Sequence, residues 1–134
     1  EKGKGATMND KAIHVSNRSL AEAYMGFEID IGREENKALY KRIRSQCVLV
    51  NTVSSGFEHA MVACGKLDGR ICKDPYGKDY DYAAGSLLVA EAGGRVANLG
   101  IATYDYRNLN FIAANPVIFK ELTEGDGAVF PLSL

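Results

Sequence analysis

The sequence predicts an α/β fold, a layered domain in which strands and helices alternate. Three observations carry this. From Tyr24 to the C-terminus, short runs of strand character alternate with helical segments. The run Cys47-Val48-Leu49-Val50-Asn51-Thr52-Val53 is apolar and rich in β-branched residues, which reads as a strand buried on both faces. Tyr82 to Ala92 reads as a buried helix, with Asp81 as N-cap and Gly93-Gly94 as the stop.

Size and composition narrow the class. A chain of 134 residues makes one domain or a large piece of one. With 46% hydrophobic and 25% charged residues, the composition is that of an ordinary globular core with a charged surface. A formal net charge of -1 lacks the basic excess of a nucleic-acid surface. No apolar stretch is long enough to cross a membrane and no secretory signal opens the chain, so a cytoplasmic location is expected. The cysteines, Cys47, Cys64 and Cys72, are odd in number and form no Cys-x-x-Cys pair. They are expected as buried free thiols, not as a disulfide framework or a zinc site. His14 and His59 lie far apart, in a strand-like and a helix-like run, and neither is assigned a chemical role.

The elements follow in chain order. Lys2-Gly3-Lys4-Gly5 is a flexible entry without the Gly-Lys-Ser/Thr ending of a phosphate loop. Met8-Asn9-Asp10-Lys11 is a tight turn and Ala12 to Val15 a short strand. Phe27, Ile29 and Ile31 alternate with Glu28 and Asp30, a strand with one wet face, broken at Gly32. Glu34 to Arg44 is a helix with Ala38, Leu39 and Ile43 at helical spacing, acids first and bases last. Its Lys41, Arg42 and Arg44 read as a solvated last turn. After the 47–53 strand, Ser54-Ser55-Gly56 leads into a helix from about Phe57 to Cys64, ended by Gly65. A strand, a small-residue turn and a helix N-terminus make either an anion- or hydroxyl-binding corner or an ordinary connection with serine caps.

Asp68-Gly69 is a turn, Arg70-Ile71-Cys72 a strand, and Lys73 to Lys78 a loop containing Pro75 and Gly77. The helix after Asp81 carries Ala83, Ala84, Leu87, Leu88, Val89 and Ala92 over more than one face, with Gly85 permitting close approach of a neighbour. At the positive end of a helix dipole, Asp81 either caps the helix or binds anions through a metal counter-ion. Arg95 to Leu99 and Asn110 to Asn115 are strands on either side of a polar-aromatic turn at Tyr104-Asp105-Tyr106. Pro116 opens a helix through about Leu122, and residues 125–134 form a tail.

Asp81-Tyr82-Ala83-Ala84-Gly85 followed by Glu91-Ala92-Gly93-Gly94 resembles the C-terminal signature of the inositol monophosphatase family, with Tyr80 where that family has tryptophan. Val62-Ala63-Cys64-Gly65-Lys66-Leu67-Asp68-Gly69 is similar to the family's Val-Ala-x-Gly-x-x-Asp-Gly. The opening Gly-Lys-Gly-Ala, the turn and the Ile13-His14-Val15-Ser16 run resemble a hairpin at the end of the family's N-terminal domain. The closing Ile112-Ala113-Ala114-Asn115 strand with its helix also matches. The resemblance covers essentially this whole chain but only the second half of the family's usual chain.

It implies a layered αβα sandwich with a mixed sheet, the C-terminal half of the inositol monophosphatase/fructose bisphosphatase fold. Residues 1–18 would be a remnant of the N-terminal domain and 19–134 the C-terminal α/β domain. Asp81 would ligate Mg²⁺, and Ser54 and Ser55 would lie beside the substrate. Asp74, near where many members place a glutamate, would contact a substrate hydroxyl. Tyr80 and Tyr82 would buttress the loop. The family's Asp-Pro-x-Asp-Gly-Thr motif and upstream Glu-Glu pair, which supply most metal ligands and the residue that activates water, are absent here. No catalytic residue is therefore assigned. The expectation is the C-terminal domain of a Mg²⁺-dependent phosphatase of inositol monophosphate or a related sugar phosphate, inactive on its own. Its partners would be the phosphate monoester, the missing N-terminal domain and a second copy in a homodimer. The alternatives are a fructose-1,6-bisphosphatase or phosphoadenosine-phosphate phosphatase of the same superfamily, and a non-catalytic binding or assembly module.

Overall fold

The computed structural model describes residues 1–50 and 54–133. A hairpin of β1 (Thr7–Met8) and β2 (Lys11–Ala12) comes first, turned by Asn9 and Asp10 in the left-handed region. Asparagine and aspartate tolerate that region better than other side chains. The strand expected over Ala12 to Val15 is thus shorter and earlier. Val15 instead donates its N–H to the Ala92 carbonyl.

The rest builds on one five-stranded sheet. Its elements are β3 (Tyr24–Ile29), α1 (Glu34–Arg44), β4 (Val48–Val50), α2 (Ser55–Ala63), β5 (Gly69–Lys73), α3 (Asp79–Glu91), β6 (Arg95–Asn98), β7 (Phe111–Ala114) and α4 (Pro116–Thr123). The strand order is β4-β3-β5-β7-β6. β4, β3 and β5 run parallel, and β7 pairs antiparallel with both β5 and β6, so the sheet is mixed.

Alternation along the strands sorts side chains between two cores. Met25, Phe27, Ile29, Ile71, Ile112 and Ala114 face one side, with Ile43 of α1 and Ile118, Phe119 and Leu122 of α4. Cys72, Phe111 and Ala113 face the other, with Val62 of α2 and Tyr82 and Val89 of α3. The result is the expected three-layer αβα sandwich. Asn115 caps α4, accepting from the Ile118 N–H at 2.8 Å, with Pro116 in the first turn.

Several local expectations are corrected. Among the described residues β4 is an edge strand paired with β3 alone, and Val48 is 44% exposed. Its apolar composition read as burial on both faces. Residues 51–53 of the expected strand lie outside the described residues. Glu28 is not on a wet face: it turns inward to a buried arginine, while Ile31 lies past the strand end and is exposed. On α1 the inward residues are Asn36, Leu39, Tyr40 and Ile43, and Ala38 faces solvent. α3 starts at Asp79, so Asp81 is the third residue of its first turn and not the cap. Its Ala84 and Leu87 are exposed, leaving one buried stripe. Cys47 and Cys72 are buried free thiols, pushed up to about 11 and about 12 by burial, but Cys64 is only half-buried. Among the described residues, no helix is long and apolar enough to cross a membrane.

Candidate active site at the carboxyl ends of the parallel strands

The loops that leave β3 and β5 meet the start of α2 at one edge of the sheet, where ligands of α/β folds characteristically bind. α2 and α3 both begin there. The positive ends of their two helix dipoles border the same place. A cavity of about 910 Å³ occupies this corner, and its walls include Ser54, Ser55, Gly56, Gly77 and Asp81. The end of β3 and the Lys37, Tyr40 and Lys41 face of α1 close the opposite side. Lys41 therefore looks into the cavity, whereas Arg42 donates to the Gly127 and Ala128 carbonyls. Lys41, Arg42 and Arg44 are all exposed, the solvated last turn expected from the sequence.

Ser55 Oγ donates to the Asp81 main-chain carbonyl at 2.8 Å, joining the two helix starts. Ser54 occupies the N-cap position of α2 but makes no side-chain capping bond among the described residues, and its side chain is exposed. The Asp81 carboxylate is exposed, and its Oδ2 accepts the Lys78 N–H at 2.7 Å. Gly77 is required here: a Cβ would stand 2.3 Å from Tyr82 Oη and 2.9 Å from Asp81 Oδ2.

Beneath the cavity floor lies a polar network of a kind that residue spacing does not announce. Arg70, wholly buried on β5, donates from Nη2 to Glu28 of β3 and from Nη1 to Glu58 of α2. Its guanidinium also lies 5.6 Å from the Tyr82 ring centroid. Glu28 Oε1 accepts from Tyr82 Oη at 2.8 Å and from the Tyr76 N–H at 3.0 Å. Tyr82 Oη accepts the Gly77 N–H at 2.8 Å. Burial, reinforced by the bond to Glu28, raises the Tyr82 phenol above its ordinary range and keeps it a donor. Alternation in β3 and β5 placed Glu28 and Arg70 on a common face; only the neighbouring strand register, Glu28 opposite Cys72, reveals that they meet.

His59 of α2 is buried against Gly85 of α3 and stacked on Phe111. Burial, then the Arg70 charge, lowers it to about 4, so the ring is neutral. Its Nδ1 donates to the Ser55 carbonyl at 2.9 Å, and Nε2 has no partner among the described residues. With Nδ1 occupied, the ring does not activate the Ser55 hydroxyl 3.4 Å away.

The residues singled out by sequence fall into two groups. Ser54, Ser55 and Asp81 share the cavity. Asp74 does not: it lines a separate cleft of about 360 Å³ with Asp30 and Arg33. Asp74 sits at φ +49°, its carboxylate taking Lys73 Nζ at 2.7 Å and Asn36 Nδ2 at 2.9 Å, and its N–H going to Asn110 Oδ1. The Lys73 and Asn36 bonds hold it down to about 2. Tyr82 does support the loop, but Tyr80 is 76% exposed and points away from that duty.

Magnesium demands several oxygen ligands. Among the described residues, no three acids, histidines or cysteines are grouped to hold a metal ion. The exposed Asp81 carboxylate in the first turn of α3 has the oxygen-donor chemistry of one such ligand.

Comparison with known proteins agrees with this architecture. The sequence model of the inositol monophosphatase family matches residues 1–126. Inositol monophosphatase 1 of Solanum lycopersicum is 30% identical over 129 residues, covering 91% of this chain and 47% of the relative. The crystal structure of the extragenic suppressor protein suhB from Bartonella henselae superposes with a TM-score of 0.78 at 28% identity, over 87% of this chain and 46% of that one. The IMPase of Thermotoga maritima superposes with a TM-score of 0.75 at 27% identity, over 90% of this chain and 47% of that one. The chain thus spans about half the length of the curated relatives it matches.

Proposed function

The chain belongs to the inositol monophosphatase family, and on that footing we propose that it is the C-terminal half of a Mg²⁺-dependent phosphatase of inositol monophosphate or a related sugar phosphate. The observation that carries the reading is the shared cavity, lined both by the start of α2 and by Asp81 in the first turn of α3. Such a corner suits a phosphate ester and its counter-ion. Asp81 would hold one face of the metal. Bound there, Mg²⁺ would act as a Lewis acid on phosphate oxygens and stabilise the leaving alkoxide.

The remaining roles belong to the chain's own groups. Ser54 offers a hydroxyl toward the polyol, and the first-turn N–H groups of α2 offer donors to anionic oxygens. Asp74 would act at the polyol side only if its cleft joins the cavity once the other half is present. The other metal ligands and the group that activates water would come from outside these residues, in an N-terminal domain of which residues 1–18 are the end. On this reading the enzyme works in the cytoplasm as a homodimer, and the present chain alone is inactive.

The test is hydrolysis by the full-length polypeptide carrying this chain, with inositol phosphate, fructose bisphosphate and adenosine bisphosphate as competing substrates. The reading expects Mg²⁺-dependent release of phosphate, fastest from the inositol or another sugar monophosphate, and its loss in Asp81→Asn. Preference for either bisphosphate would reassign the substrate within the superfamily. Substantial turnover by residues 1–134 alone would contradict the half-site account.

A further inference from the structure

Three consecutive main-chain N–H groups ahead of α3 are each captured by a side chain. Tyr76 N–H goes to Glu28 Oε1 at 3.0 Å, Gly77 N–H to Tyr82 Oη at 2.8 Å and Lys78 N–H to Asp81 Oδ2 at 2.7 Å. The third acceptor is the carboxylate assigned to the metal, so its orientation is locked to the path of this short run. The first two acceptors bond each other, Tyr82 Oη to Glu28 Oε1 at 2.8 Å. The other oxygen of Glu28 is held by Arg70 Nη2. Arg70 in turn grips Glu58 on α2 and lies 3.5 Å from the Ser55 carbonyl in that helix's first turn. Arg70 is wholly buried and lines neither cavity.

We propose that Arg70 is a positioning residue for the Asp81 carboxylate, acting through Glu28 and Tyr82 on the 76–78 amide run. A carboxylate at a helix start is free to choose among several nearby donors. The Lys78 N–H bonds Asp81 as the N-cap amide of α3, and the bonds that hold Tyr76 and Gly77 fix the path on which that amide is presented. Groups that orient a metal ligand without touching the metal typically set affinity by about 10–100-fold. This inference rests on the reading of Asp81 as a metal ligand.

The test measures Mn²⁺ affinity calorimetrically on the full-length polypeptide, alongside amide exchange of residues 76–78 and the melting temperature. Tyr82→Phe removes one hydroxyl and keeps the packed ring, so it is the variant least exposed to folding failure. It is expected to weaken Mn²⁺ about 10–100-fold, and to speed exchange at Gly77 and Lys78 while exchange in β3 and β5 stays unchanged. Glu28→Gln is expected to do the same at Tyr76. Arg70→Met should give the same pattern, and if it fails to fold the first two variants decide. Tyr106→Phe, at an exposed residue that lines neither cavity, should alter neither readout. If Asp81→Asn leaves Mn²⁺ affinity intact, the ligand reading fails. If Asp81→Asn abolishes binding while Tyr82→Phe and Glu28→Gln bind like the parent, the positioning role is overturned. Faster exchange throughout the sheet with unchanged affinity would equally overturn it, leaving a role in stability alone.

Discussion

The Ser55 hydroxyl donates to the main-chain carbonyl of Asp81 at 2.8 Å, so one side chain couples the starts of α2 and α3. Its neighbour Ser54, one residue earlier, makes no such bond among the described residues. The two serines should therefore separate by assay. Ser55→Ala is expected to cost about 1 kcal/mol in urea unfolding, while Ser54→Ala stays within about 0.5 kcal/mol of the parent. If Ser54 faces substrate, its loss should instead raise KM in the full-length enzyme.

At Gly85, α3 packs directly against His59 of α2. A Cβ there would stand 2.4 Å from His59 Cγ and 2.5 Å from its Nδ1. Gly85→Ala should cost about 1–3 kcal/mol through overpacking. The companion change His59→Ala removes the ring but keeps its Cβ, 2.7 Å from the added one, so a double-mutant cycle should show the Gly85 penalty relieved only in part. An unchanged penalty would mean that the contact with the His59 Cβ, not with the imidazole ring, selects glycine.

Arg70 carries one positive charge between two carboxylates, Glu28 and Glu58. Arg70→Met leaves both acids in the interior without it, and should cost about 3–5 kcal/mol in denaturant unfolding. Adding Glu28→Gln and Glu58→Gln to that variant should recover a large part of the loss, since neutral amides need no counter-charge.

His59 makes stability pH-dependent in a defined window. Its folded value, about 4, lies below its ordinary 6.5. Between these the unfolded chain binds the proton and the folded chain does not, so stability rises with pH. The contribution is fully present above 6.5 and is lost as pH falls toward 4, with an amplitude on the order of 3 kcal/mol. Unfolding free energies from pH 4 to 7 check this: His59→Gln should flatten the slope in that window. Asp74, held down to about 2, should act only below it.

Legibility followed the range of the interactions. α1 was read to its ends because acids, bases and apolar spacing all lie within eleven residues. The β5, α3, β6, β7 and α4 succession was legible from glycine, proline and asparagine punctuation, and the residue singled out by the family signature, Asp81, lines the cavity. β4 misled, because an apolar run reads the same at an edge as at the centre of a sheet, and only strand order distinguishes them. Glu28 misled for a related reason: alternation labels a face, and a partner 42 residues away on β5 decides whether that face is wet. Asp74 was placed by proximity to a motif, whereas Asn36, Lys73 and Asn110 draw it into another cleft.

The central claim is that this chain contributes one carboxylate to a shared metal site. Calorimetric titration of the 134-residue chain with Mg²⁺ or Mn²⁺, with Asp81→Asn as control, tests it most directly. The account predicts weak binding, in the millimolar range, that disappears in the variant. Tight binding, or binding indifferent to Asp81→Asn, would contradict it and place a complete site elsewhere in the chain.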